Sequence, residues 1–119
     1  MTVKTWTQLY TEASSLLQQG QVELAAHALI EAIDLAPREP RLYEQLIEVT
    51  LRMGSTQTAV DAAKELSRVR PGPQSEWLQA VAAMAHGDTA DAKRRATQLA
   101  RSDDATIRAQ ANAMLAQLK

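Results

Sequence analysis

Residues 16–37 read LLQQGQVELAAHALIEAIDLAP and residues 50–71 read TLRMGSTQTAVDAAKELSRVRP, so that Gly20 falls on Gly54, Ala25 on Ala59, Leu35 on Val69 and Pro37 on Pro71, each pair 34 residues apart. A glycine able to take a left-handed backbone ends one helix, and a proline just past the next helix stops it. Each unit therefore predicts a helix, a tight turn, a second helix and a stop. Upstream the same period aligns Leu9 with Tyr43 and Leu16 with Thr50. Downstream a third copy follows if one residue is deleted from its first helix. Trp77 then takes the place of Tyr43, Gly87 that of Gly54, and Ala92, Ala96 and Leu99 those of Ala59, Ala63 and Leu66. The closing proline is replaced by Arg101-Ser102-Asp103-Asp104, where Ser102 or Asp103 is expected to cap a seventh helix. That helix puts Ile107, Ala111, Met114, Leu115 and Leu118 on one face, as a cap on the apolar end of a stack does.

The expected fold is thus all-α, a solenoid of antiparallel helix pairs with seven helices at about 5–19, 22–36, 40–53, 56–69, 74–86, 89–101 and 104–118. Residues 1–119 read as one domain, with repeats at about 6–39, 40–73 and 74–104 and the capping helix at 104–118. Pro71-Gly72-Pro73 is the stiffest connection, and its plain role is to separate the second and third repeats.

Composition agrees with this and excludes several classes of function. Of 119 residues 45% are apolar, the aromatics are Trp6, Tyr10, Tyr43 and Trp77, and Cys is absent, which removes disulfides, thiolate metal sites and thiol nucleophiles. A net charge of −1 predicts neither bulk nucleic-acid binding nor attraction to an anionic membrane. No stretch reaches the roughly 18 apolar residues of a membrane span, and the N-terminus lacks a signal-type apolar run. The chain reads as cytoplasmic, the alternative being a periplasmic mature chain whose leader has been trimmed.

The joint spacing of Gly, Ala and Pro resembles the tetratricopeptide repeat family. Leu9, Ala13, Leu16, Gly20, Ala25, Leu29, Ala32 and Pro37 fall on its pattern in the first copy, Tyr43, Leu46, Gly54, Ala59, Ala63 and Pro71 in the second, and Trp77, Gly87, Ala92 and Ala96 in the third. Ile47, Val81, Leu66 and Leu99 depart from it, standing where the family places small residues, and are expected to push paired helices apart. The resemblance implies a core position for Tyr43 and Trp77. It also implies a binding surface on the concave side, which carried over residue by residue comprises Tyr10, Ser14 and Leu17, then Arg41, Glu44, Glu48, Leu51 and Arg52, then Leu78 and Ala82. Helix geometry independently puts Arg41, Glu44, Glu48 and Arg52 on one stripe. They form either a self-neutralised solvated face or a set of contacts to charged groups of a partner. The family's carboxylate clamp for chaperone tails uses a lysine and an asparagine where this chain has Tyr10 and Ser14, which disfavours that mode.

No constellation for chemistry is present. His27 and His86 stand apart, no metalloprotease, hydrolase-elbow, dinucleotide or P-loop pattern occurs, and Glu44 and Glu48 have no histidine neighbour, so neither enzyme activity, metal nor cofactor is expected. Residues 50–119 hold ten basic and seven acidic side chains, against three and seven in residues 1–49. The run Lys93-Arg94-Arg95 nonetheless fans around its helix with no aromatic between, so no nucleic-acid partner is expected. Trp6 and Leu9 lie at the open N-terminal edge, where self-association to a homodimer is the expectation. The functional reading is an adaptor or scaffold holding a peptide or helix of a partner protein. Its alternatives are a small dedicated chaperone for a secretion or pilus-type subunit and, more weakly, a regulatory module of a larger assembly, against which the Met1 start and the capping helix argue.

Overall fold

The protein is described by a computed structural model covering residues 3–118; Met1, Thr2 and Lys119, the ends of the span read as one domain, lie outside the described residues. The elements are α1 (Trp6–Gln18), α2 (Val22–Leu35), α3 (Pro40–Met53), α4 (Thr56–Val69), α5 (Pro73–His86), α6 (Thr89–Leu99) and α7 (Ala105–Gln117), with no strand among the described residues. Every boundary lies within two residues of the sequence expectation.

Local chemistry explains the ends. Thr5 and Gln8 close a capping box on α1: the Gln8 amide donates to Thr5 Oγ1 at 3.2 Å and the Thr5 amide to Gln8 Oε1 at 2.8 Å. Helices α3 and α5 each begin on a proline, which loses no hydrogen bond in a first turn. They end on Gly54 and Gly87 at φ +78 and +91, a left-handed backbone that lets the next amide return to the helix, with Ser55 donating to the Thr50 carbonyl at 2.8 Å. The cap of α7 is Asp104 rather than Ser102 or Asp103. A carboxylate reaches amides two and three residues ahead, and Asp104 accepts from Thr106 and Ile107 at 2.9 and 3.1 Å, while Ser102 Oγ accepts from the Asp104 amide.

Consecutive helices pack antiparallel, each on the next, into an elongated body of 54 × 25 × 20 Å. Small residues mediate the contact: Ala13, Ala25, Ala32, Ala59, Ala63, Ala92 and Ala96 are fully buried. Leu29, Leu42, Ile47 and Leu66 fill the spaces between them, and Leu99 is buried as well. Tyr43 is buried and its hydroxyl donates to the Pro37 carbonyl at 2.6 Å, tying the exit turn of α2 to the start of the next pair.

The third repeat differs from its expected register. Helices α3 and α5 both have 14 residues from proline to the residue before glycine, so nothing is deleted from α5. The missing residue is in the turn, which has 36–39 before α3 and 70–72 before α5. Counted from the two prolines, Ser75, Ala80, Ala82 and Ala83 stand level with Leu42, Ile47, Val49 and Thr50, and all eight are buried. Trp77 stands level with Glu44, not Tyr43, and is half-buried. A deletion inside a helix would rotate every later side chain by about 100° and expose the core face, whereas a turn absorbs it.

The open faces of α1 and α7 are polar, although α2 of the first pair exposes Leu24, Ile30 and Leu35. On α1, Gln8, Glu12 and Ser15 are exposed one period before the buried Leu42, Leu46 and Val49, and Lys4 pairs with Glu12 at 2.7 Å. Leu9 is only 3% exposed, and half-buried Trp6 lies under the Arg41 guanidinium, 5.1 Å from its ring centroid. Leu9 is thus covered within the first pair and Trp6 half-covered by Arg41, rather than both standing exposed at an open edge. On α7, Arg108 and Asn112 are exposed at the places that Tyr43 and Ile47 hold in α3. Replacing Arg108 and Asn112 together by leucine is expected to convert this end into an apolar face and raise the solution mass above that of the unsubstituted protein in light scattering. An unchanged mass at equal helicity would show that these two residues are not what closes the stack.

Candidate functional site

Odd-numbered helices share one side of the solenoid and enclose a trough. Its N-terminal half, a cavity of about 340 Å³, is lined by Tyr10 of α1, Arg41, Glu44, Gln45 and Glu48 of α3, and Leu78 of α5. Its C-terminal half, about 370 Å³, is lined by Glu44 again, by Arg70, by Gln74, Trp77 and Leu78 of α5, and by Asp104, Thr106, Ile107 and Gln110 from the start of α7. Glu44 and Leu78 belong to both halves, so the trough is continuous from α1 to α7.

The sequence-derived surface maps onto it in part. Tyr10, Arg41, Glu44, Glu48 and Leu78 line the first half together. Ser14 lies at its edge, where Gln45 Nε2 donates to Ser14 Oγ at 3.1 Å. Leu17 and Leu51 are half-buried against the core, and Arg52 is exposed beside Glu48. Ala82 is fully buried in the core and cannot contribute, because the true register of α5 puts it level with Val49. Sequence reasoning missed Gln45, Arg70, Gln74 and Trp77, and the whole contribution of the start of α7. Aligning Pro73 with Pro40 would have found Trp77, but Arg70 reaches the trough from a turn that helical periodicity does not describe.

Glu44, Glu48, Arg41 and Arg70 of the trough are each paired, while Asp104 is engaged only by the α7 amides that it caps. Arg70 Nη1 donates to Glu44 Oε1 at 2.6 Å, and the Arg70 carbonyl accepts from the buried Ser75 hydroxyl at 2.6 Å, which anchors the turn. Arg41 Nε donates to Glu39 at 2.9 Å while its guanidinium lies over Trp6 and, at 5.9 Å, over Tyr10. Hydrogen bonding to Glu39 raises the Arg41 pKa further, so it stays cationic. Glu48 meets only Arg52, at 3.3 Å with both side chains 54% exposed. Within the stripe, Glu44 is thus neutralised by Arg70 from outside it and Glu48 by Arg52, while Arg41 pairs with Glu39.

Elsewhere, chemistry-bearing groups are dispersed. Both histidines are exposed, His86 Nδ1 lying 2.8 Å from Thr56 Oγ1, and among the described residues no three His, Asp or Glu are placed to hold a metal. On the run Lys93-Arg94-Arg95, Asp91 takes hydrogen bonds from Arg95 Nε at 2.8 Å and from Arg94. The bond from Arg95, with that from Arg94, holds the Asp91 carboxyl below the ordinary range against the opposing effect of partial burial. No helix of the described residues is long and apolar enough to cross a membrane.

This helix-pair solenoid is the tetratricopeptide fold. It superposes on the Yersinia enterocolitica type III secretion chaperone SycD in complex with a peptide of the translocator YopD with a TM-score of 0.80, at 19% identity over 94% of this chain and 90% of that one. An alternative dimer of the same chaperone gives a TM-score of 0.79 at 20% identity, over 98% and 93% of the two chains. The first tetratricopeptide domain of Spaghetti (RPAP3), bound to the HSP90 peptide SRMEEVD, gives 0.78 at 13% identity, over 96% and 93%. No family sequence model and no curated protein sequence matches the chain.

Two measurements check these electrostatics. A double-mutant cycle of Glu44→Gln and Arg70→Gln, read by urea unfolding, is expected to give a coupling of about 0.2–1 kcal/mol that fades in high salt, since both groups are more than a third exposed; a coupling above that range would mean that the pair is a structural lock. Asp91→Asn is expected to cost about 0.5–1 kcal/mol at neutral pH, from the lost ion pairs and first-turn charge. Because the folded carboxyl titrates below its unfolded value, that contribution is complete above the unfolded pKa and is lost as pH falls through the folded one. The two proteins should then converge in acid.

Proposed function

We propose that this protein is a non-catalytic scaffold or adaptor that holds a segment of a partner protein in the trough along α1, α3, α5 and α7. The observation that carries this reading is the continuity of the trough, with a half-buried aromatic and apolar lining at Tyr10, Trp77 and Leu78 beside charged pairs such as Glu44–Arg70. Such a surface suits a segment that brings apolar side chains and a few polar contacts. Two of the similar structures carry bound peptides, one from a translocator and one from HSP90, which supports a peptide partner here. Tyr10 and Ser14 keep the chaperone-tail clamp out of the proposal. The cytoplasm is the compartment that goes with it.

A second reading is a dedicated chaperone for one exported or assembled subunit, and a specific observation favours it. The match to the secretion chaperone runs nearly end to end in both chains. A homodimer belongs to that reading, by analogy with the alternative dimer of the same protein.

Both readings are tested by affinity capture with the unsubstituted protein and with a Tyr10→Ala/Glu48→Gln/Leu78→Ala variant of equal helicity. Partners lost with the variant support the trough, and an identical bound set would overturn it. Co-purified complex separates the two readings, since a client of a chaperone should raise the melting temperature by about 10 °C at saturating concentration while an adaptor is folded well below that load.

A further inference from the structure

We infer that two copies of this chain dock through the outer face of α2, antiparallel about a two-fold axis, with Leu24 of each copy against Leu35 of the other and His27 against Glu31. The inference goes beyond the proposed function. It concerns the side of the solenoid away from the trough, and it gives a homodimer its surface and register without drawing on either reading of the trough.

The face stands out from its equivalents in the same chain. Leu24, Ile30 and Leu35 are 54%, 47% and 53% exposed, and among the described residues the only other large apolar side chain exposed on a helix is Met53, at 36%. One period on, the places of Leu24 and Ile30 are held by Thr58 and Lys64 on α4, and by Asp91 and Thr97 on α6. The outer helices are thus polar where α2 is apolar. Their acids also find partners: Glu65 pairs with Arg68, and Asp91 with Arg94 and Arg95. Glu23, His27, Glu31, Asp34 and Arg38 enter no ion pair among the described residues, and on the α1 side Lys4 is held by Glu12 at 2.7 Å. An exposed apolar face beside unpaired charges calls for a partner that supplies both kinds of contact.

The pattern identifies that partner as a second copy. Leu24, His27, Glu31 and Leu35 follow at spacings of three, four and four, one stripe along three turns of helix with Ile30 on its flank. Turned end for end, the stripe presents leucine to leucine and histidine to glutamate. The two kinds of pair share a centre to within about 1 Å along the axis, so one two-fold axis satisfies both. An isologous interface makes every contact twice; an unrelated partner would require no such self-complementarity.

The ends of α2 fit the same register. A cavity of about 380 Å³ at its start is lined by Gly20, Gln21, Val22, Glu23 and Leu24. Leu35 and the exposed Pro37 of the second copy arrive opposite it, so the hollow at one end of the helix receives the projection at the other. Arg38, just past the end of α2, comes beside Glu23 of the second copy. One helix face from each copy makes a small interface, and association in the micromolar range is expected.

The test is sedimentation equilibrium of the full chain from about 1 to about 200 µM, where a monomer–dimer equilibrium is expected. A monomer throughout would overturn the inference. Leu24→Glu and Leu35→Glu should each weaken the dimer about tenfold. If Leu24→Glu loses helicity, Leu24→Thr, the residue that α4 carries at that place, decides instead. A dimer indifferent to these substitutions would also overturn the inference. Register is read from charge. His27→Glu and Glu31→Lys should each weaken self-association several-fold, the first by facing two carboxylates and the second by facing two bases. An equimolar mixture of these two variants should recover the affinity of the unsubstituted protein, because the new carboxylate meets the new ammonium while the second contact is the original one. A mixture as weak as its components would overturn the antiparallel register and the inference with it. None of these substitutions touches the trough, so capture of partners there is expected to be unchanged, and the proposed function stands or falls by its own experiment.

Discussion

The contact on which the rest depends is alanine against helix. Ala13, Ala25, Ala32, Ala59, Ala63, Ala92 and Ala96 have no exposed surface, and each lets the backbone of one helix approach the next. A pair held this way buries too little apolar area to stand alone, so it must stack on another pair, with Leu29, Leu42, Ile47 and Leu66 filling the layers between. The trough is a by-product of that rule. If even-numbered helices each pack between two odd ones, the odd ones are brought side by side, and whatever their free faces carry becomes one continuous surface.

Stacking raises the question of where it stops, and the answer is written at positions that repeat. Leu42, Leu46 and Val49 face backwards onto the first pair; one period earlier the same places are Gln8, Glu12 and Ser15, which face water. Arg108 and Asn112 do the same at the far end for the places of Tyr43 and Ile47. Polar substitution on a periodic apolar face ends a solenoid without changing any helix, because propensity is hardly altered while the burial that would attract another pair is lost.

The helices were legible because their ends rest on local chemistry: Gly54 and Gly87 need a left-handed backbone, Pro40 and Pro73 suit a first turn, and alanine recurs at the contact. Register in the third repeat was not, since matching Trp77 to Tyr43 moved a turn deletion into a helix and shifted the α5 alignment by one, which Leu78 tolerates and Ala82 does not. That single shift explains why Ala82 was placed in the groove while Trp77 was placed in the core. Trp6 and Leu9 were misplaced for a different reason, namely that an end helix can be polar on its open side and still bury its other side. Arg70 and Glu44 meet across 26 residues of sequence, and periodicity within an element says nothing of such a pair.

Mutual pairing of the trough charges has a consequence for recognition. Free like charges at Glu44 and Glu48 would cost a few tenths of a kcal/mol and would draw any cation from solution. With Arg70, Arg52 and Glu39 in place the trough is nearly neutral, so long-range steering contributes little to encounter and selectivity shifts to short-range fit. An incoming charge must then replace an existing partner, gaining only the difference between two ion pairs, while an apolar side chain covering Trp77 gains the whole of its desolvation. A trough built this way discriminates by shape and apolar content first and by charge second.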